Sequence, residues 1–191
     1  MGLIEHFERY LGEIEAGWSA DVDGDPMPFQ VVRFPRGSGG GTISFATVGL
    51  SRYPLVSPSG QEIRHEVLMI VPAGLRDGPI PGLLQQLGME SLAADKPLLR
   101  GGVIGPRGAL VPGSEMTAVY VAIPVYFPDE FAVCGEGNSA VVIVWLVPIS
   151  TAEAGYVMEH GWRDFEQRLL ESDPDLTDIY RTSLMGDSHI G

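Results

Sequence analysis

Cysteine is almost missing from this chain of 191 residues. Cys134 stands alone, so no internal disulfide can form, and the usage is that expected of a cytoplasmic protein. Positive charge is scarce as well. Twelve Lys plus Arg face twenty-five Asp plus Glu, a formal net charge of −13, which argues against nucleic acid, whose phosphates reward clustered cations. Such a balance keeps a protein in solution by self-repulsion or draws it to a basic partner. Long apolar runs are lacking too. The longest, Ala140 to Ile149, is about half of what a bilayer crossing needs, so no membrane span is expected. The opening residues, MGLIEHFERYLGEIEAG, alternate acids with apolar residues and lack the basic start and continuous apolar stretch of a signal peptide. No repeat or linker divides the chain. The expectation is one domain over residues 1–172 with a C-terminal tail over 173–191.

Catalytic and metal-binding spacings are equally hard to find. Gly49-Leu50-Ser51 is the first half of a G-x-S-x-G nucleophile elbow, but position 53 is Tyr and Pro54 follows. The tight strand-to-helix turn of an elbow needs a second glycine, and no helix can start at that proline. Nothing in the spacing ties His6, His65, His160 or His189 to Ser51. The run DVDGDP imitates the start of a calcium loop, yet Pro26 and Val32 stand where glycine and glutamate are required. GSGGG at 37–41 lacks the Gly-Lys-Ser/Thr ending of a phosphate loop. The histidines and Cys134 show no zinc spacing. His65 and Glu66 are neighbours in a strand, so their side chains point to opposite faces. Glu66 is expected at the edge of the core, paired with Arg52 or Arg64. No catalytic residue, cofactor or metal is expected.

What is present is a pattern of elements. Ile4, Phe7, Leu11 and Ile14 fall three and four apart, which predicts an amphipathic helix over 2–16. ADVDGDPMPF reads as a loop. FQVVRF and TISFATVGL read as strands of a hairpin, and EIRHEVLMIVP as a third strand. IPGLLQQLGMESLAAD predicts a helix that tolerates Pro81 in its first turn. PLLRGGVIGPRGALVPGS reads as short strand pieces joined by turns. MTAVYVAIPVYF and AVVIVWLVPI are the clearest strands, the second apolar on both faces. Ser150 and Glu153 have the spacing of a capping box, opening a helix that runs to the residues before Pro174. The order predicts an α+β domain: a mixed, largely antiparallel sheet with helices packed against it. The tryptophans and most tyrosines fall in predicted elements and read as core, with Tyr53 the exposed exception.

The segments TVGLSRYPL, RHEVLMIVP, PGLLQQLGM, LLRGGVIGP, VYVAIPVYFP and VVIVWLVPISTAEAGYVMEHGWRDFEQRLL occur in that order. Taken together they resemble the Suppressor of fused (SUFU) domain family, over roughly residues 25–172. The resemblance implies an N-terminal-domain-like fold that binds another protein and catalyses nothing. Animal members grip a short extended segment of a transcription factor between two domains. This chain resembles only the first of those domains, so the grip does not carry over whole. An acidic ligand contact of the animal members aligns with Gly102, and is expected to be absent here. Bacterial single-domain members are often immunity proteins, which bind and neutralise a cognate polymorphic toxin. The acidic balance suits a basic toxin domain as partner.

The residues that carry the resemblance, and are candidates for contact with a partner, are Gly49, Leu50, Ser51, Arg52, Tyr53, Glu66, Gly102, Pro148 and Glu153. Gly49 is expected to supply a backbone shape, Leu50 to return to the core, and Ser51 to bond backbone in the turn. Arg52 and Tyr53 are left to meet a partner or brace Glu66. Two alternatives stand beside the immunity protein: a serine hydrolase using Ser51, and a structural or oligomer-forming subunit pairing a sheet edge near Val31 or Val121. The tail's Asp187-Ser188-His189-Ile190 loosely matches a short Ser/Gly-His-Ile/Leu ligand motif of the family's partners, which offers a self-ligand. Oligomeric state is left open by the sequence.

Overall fold

The computed structural model describes residues 2–186, with Asn138 described by its backbone alone. In chain order it contains helix α1 (Leu3–Leu11), strands β1 (Ala16–Ala20), β2 (Pro26–Phe34), β3 (Thr42–Val48), β4 (Leu55–Val56) and β5 (Glu62–Pro72), and helix α2 (Ile80–Ala93). Strands β6 (Val103–Ile104), β7 (Met116–Ala122), β8 (Val133–Cys134) and β9 (Val141–Ser150) follow, then helices α3 (Thr151–His160) and α4 (Trp162–Ser172). The strands pair mostly antiparallel, with β5 and β9 parallel, so this is an α+β protein with a mixed sheet. Residues group into two compact units, Met1–Leu98 with Ile123–Trp145, and Leu99–Ala122 with Leu146–Gly191.

In the first unit the strands run in the order β1-β2-β3-β5-β9. Register sets Val32 opposite Ala46, Phe45 opposite Met69, and Glu66 opposite Ile143. Every residue from His65 to Val71 is buried, as a strand covered on both faces requires. Short β4 folds back on β5, placing Leu55 opposite Ile63. Helix α1 buries Phe7 and Leu11 completely. It stops well short of the predicted residue 16, because Gly12 adopts φ +87° while its N–H still reaches the Glu8 carbonyl at 3.0 Å. That conformation suits glycine and ends a helix. Residues 16–20 then form the edge strand β1. In α2, Gly88 lets the helix settle on Phe29: a Cβ there would lie 2.5 Å from the ring. Val31 is fully buried in β2, which pairs on both sides. A free edge at Val31, available to a second chain, is therefore ruled out.

In the second unit β6 pairs antiparallel with β7, Val103 opposite Tyr120. Val121 is buried and exchanges backbone hydrogen bonds with Gly101 and Gly102, so the edge expected at that residue is already occupied. Helix α3 packs on β7 and on α4, and the Tyr120 ring meets Phe165 edge to face at 5.2 Å. The single helix predicted over 151–172 is two. Gly161 at φ +87° breaks it, and α4 restarts at Trp162 with Phe165 fully buried. The residues after α4 are held: Leu176, Thr177, Ile179 and Arg181 are buried, and Ser114 Oγ donates to the Ile179 carbonyl. Asp187-Ser188-His189-Ile190 lies outside the described residues.

Candidate functional site: a loop clamped by a buried glutamate

Strand β3 ends at Val48, and Gly49 turns the chain with φ +105° and ψ −5°, in the left-handed region that glycine enters without steric cost. One turn of 3-10 helix, Leu50–Arg52, follows. Glu66 of the neighbouring strand β5 is completely buried beneath this turn. Its carboxylate accepts from Thr47 Oγ1 at 2.6 Å, the Gly49 amide at 2.8 Å and the Leu50 amide at 3.3 Å. It also accepts from the Ser51 amide at 3.1 Å and Ser51 Oγ at 2.7 Å. Thr47 is itself oriented by the Val67 amide, which donates to its hydroxyl at 2.8 Å. Three successive backbone N–H groups aimed at one anion form a nest, with two hydroxyls completing the set.

Burial pushes the Glu66 carboxyl above the ordinary carboxylate range, and hydrogen bonds from Thr47, Ser51 and the loop amides oppose that shift. No arginine takes part. The expected pairing with Arg52 or Arg64 is corrected by the structure: the donors are the loop's own amides and hydroxyls, and Arg64 instead donates to the Ser51 carbonyl at 3.1 Å. A short turn whose amides already converge has no room for a guanidinium, so the arginines stay outside it. Arg52 and Tyr53 are exposed on the outer side of the turn, Tyr53 by 43%. Leu50 enters the core, as expected.

Ser51 is buried, and its hydroxyl is spent on a carboxylate that already accepts from four other donors. That bond holds the Ser51 hydroxyl inward, away from solvent. Among the described residues no histidine is hydrogen-bonded to it. His6 Nε2 donates to the Phe131 carbonyl at 3.0 Å, and both ring nitrogens of His65 are buried without a hydrogen-bond partner. Desolvation holds the His65 imidazole down at about 4, from an ordinary 6.5, so it is neutral. Ser51 is a tether of the turn.

The other candidates lie in the second unit and are not all one site. The Gly102 amide donates to the Leu99 carbonyl at 2.9 Å, and a Cβ on Gly102 would sit 3.0 Å from that oxygen. Its role is close backbone packing beside β7. Pro148 and Glu153 are brought together by a residue the sequence did not single out. Arg181 donates to Glu153 at 2.6 Å and 2.9 Å and to the Pro148 carbonyl at 3.1 Å. Glu153 closes the capping box as well: Ser150 Oγ accepts from the Glu153 amide at 3.1 Å, and the Ser150 amide donates to its carboxylate at 2.8 Å. The Leu184 amide adds a further bond at 2.9 Å. Arg181 lay in a stretch that composition marks only as chain end, and Thr47 in an ordinary β-branched strand, so neither carried a local signal.

Both acids thus hold backbone in place, and the first unit presents a hydrogen-bonded turn on an α+β scaffold. The family profile "Suppressor of fused protein (SUFU)" matches residues 25–182, and the chain belongs to that family. Its fold is similar to a SUFU homolog from Neisseria gonorrhoeae, with a TM-score of 0.70 and 19% identity over 94% of this chain and 92% of that one. It is similar to a chain of the Sufu–Fu complex, with a TM-score of 0.69 and 14% identity over 95% and 90% of the two chains. Drosophila Suppressor of Fused gives a TM-score of 0.62 and 15% identity over 82% of this chain, which spans 43% of that protein. No curated protein sequence matches the chain.

Proposed function

We propose that this SUFU-family domain works by binding a protein, without catalysis, and that its partner is a basic toxin domain that it neutralises in the cytoplasm as an immunity protein. The observation that carries the non-catalytic part is the Glu66 clamp. It consumes the one serine whose setting resembles a nucleophile, and leaves a stiff turn with Arg52 and Tyr53 facing out. A preformed surface loses little entropy on docking. A chain of the Sufu–Fu complex shares the fold, which supports protein binding as the mode of action. The net charge of −13 supports a basic partner, because opposite fields speed encounter and select against acidic competitors.

The test is co-expression with basic toxin domains, taken first from any neighbouring genes. Growth should be rescued by this chain, and the pair should co-purify with an affinity that weakens as salt is raised. Rescue of none of them, together with no complex, would reject the immunity role. Labelling of Ser51 by a reactive-serine probe would reject the non-catalytic part.

A further inference from the structure

Three shallow concavities adjoin around the clamped turn, all within the first unit. One, of about 420 Å³, lies between the start of α1 and the turn, with Ile4, Gly49 and Arg52 on its walls. The next, of about 400 Å³, is shared between Ser51, Arg52, Arg64 and Val141. The third, of about 430 Å³, continues from Arg64 past Ile63 to Gly137 and Val142. Common residues link each to the next, so they form a trough with two guanidiniums along it.

Those guanidiniums differ from the four that carboxylates hold. Arg33 and Arg76 hold Glu15, Arg100 holds Glu166, and Arg181 holds Glu153. Among the described residues Arg52 has no hydrogen-bonding or ionic partner, and Arg64 has only the Ser51 carbonyl. Acids are near: Glu5 and Glu62 line the two ends of the trough. Glu5 is turned back onto the Gly2 amide at 3.0 Å, and Glu62 forms no ion pair with either arginine. In a chain with twice as many acids as bases, two side-by-side arginines without a carboxylate are an open recognition element. Arg binds carboxylates in a planar, two-pronged way that lysine cannot reproduce. Ile4, 45% exposed on the trough wall, and Tyr53, 43% exposed beside Arg52, add apolar surface of the kind that anchors interfaces.

We infer that this trough docks an extended, carboxylate-bearing segment of a partner protein, with Arg52 and Arg64 pairing two of its acidic side chains. This rests on the protein-binding reading and adds to it the sign of charge at the contact. A partner that is basic overall would meet this face through an acidic loop.

The experiment uses the full chain and fluorescein-labelled short peptides carrying two glutamates at varied spacing among alanine and valine, with lysine counterparts as controls. At least one glutamate spacing should bind saturably by fluorescence anisotropy, and the lysine peptides should not. Arg52→Glu should weaken binding about ten-fold or more, while Arg52→Lys weakens it less. Backbone amide resonances of Arg52, Arg64 and Gly137 should shift on titration. The inference is overturned if no spacing binds, if lysine peptides bind as well, or if Arg52→Glu binds unchanged. Toxin protection that survives Arg52→Glu, with no glutamate peptide bound, would remove this surface and leave the immunity role standing.

Discussion

Replacing Glu66 with Gln keeps the side chain's shape and removes its charge, which isolates what the carboxylate does. Oε1 accepts from the Gly49 amide, the Ser51 amide and Ser51 Oγ, while Oε2 accepts from Thr47 Oγ1 and the Leu50 amide. With the Gln oxygen at the Oε1 position, three charge-assisted bonds become neutral ones, at a cost of roughly 0.5–1 kcal/mol each. The amide nitrogen then faces Thr47 and Leu50. The Thr47 hydroxyl can rotate to accept, but the Leu50 N–H is orphaned in a buried place, costing about 1–3 kcal/mol. Removing a buried charge returns part of this. The expected net loss is about 2–4 kcal/mol, which for a chain of this size lowers Tm by roughly 5–15 °C. Urea unfolding at neutral pH, with unchanged m-value, measures it. A variant as stable as the parent would refute the reasoning, since it would mean the donors face a neutral, protonated acid.

Ser51→Ala removes one of the five bonds and should cost about 1–2 kcal/mol by urea unfolding while leaving partner binding intact; loss of binding with the fold preserved would give Ser51 a direct role. His65 titrates at about 4 folded against 6.5 ordinarily, so the folded state binds fewer protons between those values. Its contribution is therefore present above pH 6.5 and lost as pH falls toward 4, a total of about 3 kcal/mol. The parent should lose that stability relative to His65→Phe on acidification through the window, and parallel curves would contradict a buried neutral imidazole. Arg181→Met leaves Glu153 buried with only amide partners, at a cost of about 3 kcal/mol, and limited proteolysis should then cut within residues 174–186 sooner than in the parent.

Periodicity carried the framework. The apolar runs at 62–72 and 141–150 became β5 and β9, the spacing at 80–93 became α2, and the Ser150–Glu153 box formed as written. The misses share a cause. Gly12 and Gly161 sit inside helical patterns, and only a positive φ shows that each ends its helix; periodicity records side chains, and not backbone hand. The strand at 16–20 has two small residues at its ends and one glycine, so its alternation is too weak to read. At the site, Gly49-Leu50-Ser51 was legible as a shape-bearing turn, and Leu50 went inside. The clamp itself was not, because it joins positions 47–51 to position 66 through backbone amides, which leave no mark in residue identity. A lone glutamate in an apolar strand invites an arginine partner, and five local donors outbid it.

A clamp that grips mostly main chain has a consequence for how such a domain changes over generations. The amides of residues 49–51 are offered whatever side chains stand at 52 and 53. Substitution at those two exposed positions therefore alters the presented face without disturbing the turn that presents it. Glu66, Thr47 and Gly49 behave as a fixed mount, and Arg52 and Tyr53 as an exchangeable tip. On the proposed docking at this turn, new specificities would be sampled there at little risk to folding.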